Sequence, residues 1–345
     1  WQEGSLGQRV EILRRLRATD PDRAREWLAQ TWKREKAETR ADLLKILQVG
    51  LSPDDEPLLE STLDDRAATV RAVAVDLLAR LPESALSHRM RGRAESMLTF
   101  AQGKLDANPP TQLPPDWLRD GVGPQSIAER HERGSWLSQV VRLVPCAVWE
   151  QRFKQSPDVL VPATSESPWS GWLLDGWTRS AARQHDADWS LALWRYWLTA
   201  HTNHTQTTNR NELRGLVAPF VPIDEREAYA ASYFTDTGNT DGASFADALR
   251  GLPTPWTREF GLAYLAALHA FVAALSPGAR DFTPWDETLA IAALVIPPAC
   301  FETALEPFML PEGDNLHIHN FRGQLGMFAD TIRLRKQLYE EIPLP

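Results

Sequence analysis

Along the first third of the chain, apolar residues recur with the 3.6-residue period of α-helices, and the pattern itself returns every 31 residues. Leu13, Leu44 and Val75 share one register, Leu16, Leu47 and Leu78 a second, and Ile12, Leu43 and Ala74 a third. Arg9, Arg40 and Arg71 keep the same step. A fixed period of this length is the signature of stacked helical hairpins, in which no single unit can bury its apolar face alone.

Local signals divide each unit into helices. Residues 8–17 carry Val10 and Leu13, with Leu16 or Arg17 completing the stripe. Asp20 is placed as an N-cap with Pro21 at the first helical position, so a second helix is expected to Lys33, burying Ala24, Trp27, Leu28 and Thr31. Residues 39–49 form the next helix, closed by Gly50 as a left-handed C-cap. Ser52 and Asp55 then have the spacing of a capping box. The clearest unit is 63–81, where Val70, Val73, Ala74, Leu77, Leu78 and Leu81 line one helical face.

Asp65, followed by Val70-Arg71 and Ala74, resembles the short form of the HEAT repeat over about residues 8–82. The resemblance implies an α-α superhelix in which a turn aspartate and an arginine of the second helix interlock neighbouring units. Arg71 has its aspartate in Asp65; the turn before Arg40, from Lys33 to Glu38, lacks one. The longer stretch through Leu81-Pro82-Glu83-Ser84 and Arg89-Met90 resembles an uncharacterised bacterial family of HEAT-like proteins. That second resemblance implies a partner-binding role, with AAA-type ATPases and von Willebrand A-type proteins as the companions.

The period ends near residue 105. Asn108-Pro109-Pro110, Leu113-Pro114-Pro115 and Gly121-Val122-Gly123-Pro124 make residues 106–124 a connection rich in fixed or permissive backbone. Residues 125–345 form a second, irregular, Trp-rich region. Helices are expected there at about 125–155, 169–182, 187–200, 210–219, 224–234, 243–250, 257–275, 285–295, 299–307 and 320–340. Alternating β-branched segments are nearly absent, so the expected fold is all-α: a HEAT/armadillo-like α-α superhelix over residues 1–105, then the irregular helical region.

Charge sharpens this division. The formal net charge of −9 is not evenly spread: residues 1–105 hold 18 basic and 17 acidic side chains, and the remainder 19 and 29. An acidic later region argues against a wide phosphate-binding surface and hence against nucleic acid as partner. No stretch nears the roughly 18 uninterrupted apolar residues of a membrane span. The two cysteines, Cys146 and Cys300, sit in apolar settings, which points to a reducing, cytoplasmic location. The chain opens at Trp1 without a secretory signal pattern, a start that reads as a domain boundary.

Three groups of residues carry candidate chemistry. Eight of the fourteen tryptophans lie between 136 and 197. At helical spacing they read first as core, and their exposed members, among Trp169, Trp172 and Trp189, as an aromatic groove for a peptide or sugar. The run His88-Arg89-Met90-Arg91-Gly92-Arg93 concentrates guanidinium donors, making Arg89, Arg91 and Arg93 candidate partner contacts. His201 and His204, three apart, could hold a metal with Asp188 as third ligand, the basis of an alternative reading as a metal-dependent hydrolase. No nucleophile elbow, Walker loop, dinucleotide fingerprint or His-Glu-x-x-His is present, and no cofactor is called for. The reading these features favour is a protein- or peptide-binding scaffold or adaptor.

Overall fold

The computed structural model describes residues 4–124, 129–199, 210–234, 242–282, 285–312 and 315–342. Among them run eighteen α-helices and a single two-stranded hairpin, so the protein is all-α. It divides into two compact units, residues 1–220 and 221–345.

The first unit begins with α1 (Leu6–Thr19), α2 (Pro21–Thr31), α3 (Ala37–Lys45), α4 (Glu56–Thr62), α5 (Ala68–Leu78) and α6 (Ala85–Met97). Helices α1, α3 and α5 start 31 residues apart, and they pack in a row, α1 on α3 and α3 on α5. Their partners follow a second register: Asp20, Ser52 and Ser84, 32 residues apart, stand before α2, the turn leading into α4, and α6. Asp20 and Ser84 accept the backbone N–H groups of Arg23 and Ser87, and Ser52 forms a capping box with Asp55. Gly50 adopts the expected positive φ, 59°.

The buried stripe of α1 is Arg9, Leu13 and Arg17, two arginines around one leucine, while Ile12 faces out. Arg17 is possible there because each of its three guanidinium nitrogens donates to an acceptor. Its Nη1 and Nη2 donate to the two carboxylate oxygens of Asp55 at 2.9 and 2.8 Å. Its Nε donates to the Val49 carbonyl, and Nη2 also reaches the carbonyls of Leu47 and Gly50. Both side chains of the pair are 0% exposed. Asp55 is completed by Arg25 and by the Ser52 N–H.

A second set of arginines joins one helix pair to the next. Arg9 donates to the Glu35 carboxylate at 2.6 Å, and Arg40 grips Asp65 with two bonds of 2.9 and 2.7 Å. Arg40 also donates to the Glu35 carbonyl, and Arg71 to the Asp65 carbonyl. The expectation that Arg71 holds the Asp65 carboxylate is therefore corrected. Each turn acid is held through its carboxylate by the arginine of the preceding pair and through its backbone by the arginine that follows. Glu35 fills the role in the turn that lacks an aspartate.

Within this all-α fold one short hairpin interrupts the helices, β1 (Leu98–Ala101) and β2 (Lys104–Ala107), paired antiparallel with Leu98 opposite Ala107. Gln102 and Gly103, with φ of 54° and 75°, make the two-residue turn that such a hairpin needs. The following Pro/Gly stretch is pinned rather than loose: Arg133 donates to the carbonyls of Pro109 and Pro110, and Gln139 brackets Gly123.

The rest of this unit comprises α7 (Glu129–Val141), α8 (Ala147–Phe153), α9 (Pro157–Leu160), α10 (Ser170–Gln184), α11 (Ala187–Thr199) and α12 (Arg210–Val217). Helices α7 and α10 pack closely, with Gly134 of α7 against Trp172 and Gly176 of α10 against Val141. Trp149, Trp177, Trp189 and Trp197 are fully buried around them, Trp177 and Trp189 edge to face at 5.0 Å.

The second unit holds α13 (Ile223–Ser232), α14 (Gly242–Arg250), α15 (Arg258–Ala273), α16 (Trp285–Val295), α17 (Phe301–Ala304) and α18 (Leu316–Glu341). Its core is aromatic, with Phe245, Trp256, Tyr264, Trp285 and Phe321 all buried. The Tyr264 hydroxyl is satisfied by Thr288 at 2.9 Å.

Two outcomes follow from the arginine contacts. Asp55→Ala leaves Arg17 buried and uncompensated, a loss of about 3–5 kcal/mol that thermal unfolding should register as a midpoint lowered by roughly 6–20 °C; Arg15→Ala, breaking an exposed pair with Glu11, should change stability by less than about 1 kcal/mol. Burial acts to raise the Asp65 pKa, but the Arg40 hydrogen bonds and the Ala67 N–H outweigh it and hold the carboxyl below its usual value. The native state therefore loses this stabilisation as pH falls from about 5 through the ordinary aspartate value near 3.9, and Asp65→Asn should flatten that acid limb of an unfolding titration.

Candidate partner-binding surfaces

Helix α6 places Arg89, Arg91 and Arg93 in different surroundings. Arg89 donates to Asp120 at 3.0 and 2.7 Å and to Glu60 at 3.0 Å. Arg93 pairs with Asp116 and Asp120 and lies 5.3 Å over the Trp117 ring. Arg119 closes the network on Glu60 and Asp64. Two of the three arginines thus neutralise the buried carboxylate of Asp120 and hold the 115–120 turn against α4 and α6. Arg91 is half-buried and makes no ion pair or hydrogen bond among the described residues, which leaves it as the member of the run available to a partner.

The tryptophans divide as sharply. Trp189 is fully enclosed and donates its indole N–H to Glu150 at 2.8 Å, so it is core and is corrected from the list of contact candidates. Trp169 and Trp172 are half-buried at the start of α10. Arg133 lies 5.3 Å over the Trp169 ring, and Trp172 meets His131 edge-on at 6.2 Å. Together they form an aromatic and cationic edge, kept in place because Gly134 leaves room for the Trp172 indole.

Of the proposed metal ligands, His201 and His204 lie outside the described residues, and Asp188 is exposed in the first turn of α11. Among the described residues no three histidine, cysteine, aspartate or glutamate side chains converge on a metal-sized site. Burial pushes the Cys146 thiol well above the usual range, and its Sγ lies 3.7 Å from the Trp177 carbonyl. It remains a protonated, enclosed thiol at neutral pH.

The sequence reading missed the strongest surface. On α18, Ile318, Phe321, Leu325, Phe328 and Ile332 enter the core of the second unit. On roughly the opposite side of the same helix stand Leu316, Met327, Leu334 and Leu338, 67%, 65%, 58% and 46% exposed. At 3.6 residues per turn these four fall on one stripe. A periodicity search finds the helix but cannot tell which of two apolar faces is covered, so the pattern was visible while its exposure was not.

Gly134→Ala should force the Trp172 indole outward, which acrylamide quenching would report as one newly accessible tryptophan. Gly92→Ala, where a Cβ meets open space within α6, should instead raise stability by about 0.4–1 kcal/mol.

Among the described residues no helix is long and apolar enough to cross a membrane. No curated protein and no solved structure matches the chain. A family model covers residues 1–342, and the chain belongs to that family, which is described as a family of unknown function (DUF5691).

Proposed function

We propose that the chain is a protein- or peptide-binding helical scaffold whose amino-terminal region, residues 1–105, is built of HEAT-like helix pairs. The 31-residue spacing of α1, α3 and α5 and the arginine contacts to Glu35 and Asp65 support the repeat reading. In this reading residues 106–124 join that array to the irregular region that follows.

The observation that carries the binding role is the second apolar face of α18. An isolated exposed leucine is ordinary, but four large apolar side chains aligned on one helix, roughly opposite the face that already serves the core and interrupted by Asn320 and Gly323, are a stripe of the kind partners cover. Lys336 and Arg333 on the same helix pair with Glu302 and Asp330 and supply a polar rim. Arg91 and the Trp169/Trp172 edge are further candidate contacts. AAA-type ATPases and von Willebrand A-type proteins are the candidate partners that the family resemblance brings.

The test is affinity capture with the full chain, followed by quantitative binding to the captured protein. Met327→Glu with Leu334→Glu, both on the exposed stripe, should leave the thermal midpoint within a few degrees while weakening binding by roughly tenfold or more. Arg91→Glu should weaken it less. An unchanged affinity in the double variant would remove α18 as the docking face, and the absence of any stoichiometric partner would sink the scaffold reading.

A further inference from the structure

In the first unit, α5, α7 and α10 bring four arginines to one cleft of about 300 Å³. Arg80 follows α5, Arg142 follows α7, and Arg179 and Arg183 lie on the last turns of α10. Three of the four have acids. Arg80 and Arg183 share Asp76, at 3.0 and 3.3 Å, and Arg179 pairs with Asp175 at 3.1 Å and Glu212 at 3.4 Å. Arg142 has none: its guanidinium makes no ion pair or hydrogen bond among the described residues, and its Nε is buried without a partner. The Arg142 backbone carbonyl, by contrast, is held by Arg183.

A largely buried guanidinium that touches no carboxylate, with three others beside it and Asp76 and Asp175 acting on it only from a distance, is a costly arrangement in a folded protein. Burial, and after it the charges of Arg183 and Arg179, push the Arg142 pKa below its ordinary value against the weaker pull of Asp175 and Asp76. Burial lowers that of Arg183 too, against the pull of Asp76. The cleft is nevertheless reachable, because Arg80 and Asp76 at its lip are 43% and 44% exposed. His185, in the left-handed conformation that ends α10 and stacked on Phe220 at 4.6 Å, walls the other side.

We propose that this cleft binds a phosphate group, free or carried on a small monoester, with Arg142 as its central ligand and Arg80, Arg179 and Arg183 around it. A carboxylate is satisfied by one guanidinium fork, whereas a tetrahedral dianion with several acceptor oxygens can engage donors arriving from three helices at once. The volume lies at the lower end of small-molecule sites, which suits phosphate with a short substituent. The bound anion supplies the charge that Arg142 lacks, so the arrangement that strains the empty protein favours the filled one.

The experiment is calorimetric titration of the full chain with inorganic phosphate and with glycerol 3-phosphate, at ionic strength held constant with chloride, alongside thermal unfolding. Saturable binding and a phosphate-dependent rise in midpoint are expected for the native sequence. Arg142→Met should weaken binding roughly tenfold or more, about 1.4 kcal/mol, while raising the midpoint of the phosphate-free protein. Tighter binding of the monoester would identify a phosphorylated small molecule as the ligand, and tighter binding of phosphate the free anion. Arg80→Gln, at the exposed lip, gives a second reading whether or not Arg142→Met folds, and should weaken binding severalfold. The proposal is overturned if the native protein shows no saturable phosphate binding, or if affinity is unchanged in these variants.

Discussion

The Arg17–Asp55 pair is the constraint on which the amino-terminal helices depend. It is fully buried, and every nitrogen of the guanidinium donates to Asp55 or to a carbonyl of the 47–50 segment. Removing an ion pair of this kind together with its partner can be neutral, but removing one side is not, because the remaining charge has no water to turn to. The pair also fixes geometry. It ties α1 to the end of α3 and to the turn that caps α4, so the angle between successive helix pairs is set by a rigid, bidentate fork rather than by apolar contact alone.

The same residue type performs three different tasks elsewhere. Arg9, Arg40 and Arg71 bind turns, Arg9 and Arg40 through the acid of the turn before the next helix of their row and Arg71 through a carbonyl of the turn before its own. Arg89 and Arg93 neutralise Asp120, which would otherwise be stranded in the 115–120 turn, and Arg119 ties that turn to Glu60 and Asp64. Arg142, in a cleft it shares with three other arginines and Asp76, pairs with no carboxylate among the described residues. Spacing along the chain does not separate these roles; the location of the nearest carboxylate does.

The tryptophans show a related economy. Bulky indoles fill the gaps between helices of unequal length in the first unit, where a regular 31-residue register no longer sets the packing. Close contact between α7 and α10 requires glycine at 134 and 176, and that closeness leaves Trp172 lying along the surface instead of within the core. An aromatic edge and an aromatic core thus arise from the same cluster.

Through local signals along the chain, the sequence by itself suffices to place most of the helices and many of their starts, although the expected segments do not include α6 or α9. Ser52, Asp20 and Gly50 act through bonds to residues no more than a few positions away, and the expected segments at 187–200, 210–219 and 285–295 coincide with α11, α12 and α16 to within about two residues. It did not determine the hairpin at 98–107, because a Gln-Gly turn is a weak signal beside the helical pattern preceding it. Nor did it assign the charged and aromatic side chains. Asp120 lies 31 residues from Arg89, Asp55 38 from Arg17, and Asp76 107 from Arg183. Whether an arginine is a structural bolt or an open donor, and whether an apolar helix face is core or surface, is settled by what the fold brings alongside it. Local propensity is written in neighbours along the chain, while neutralisation and burial are decided between residues that meet only after the helices have packed.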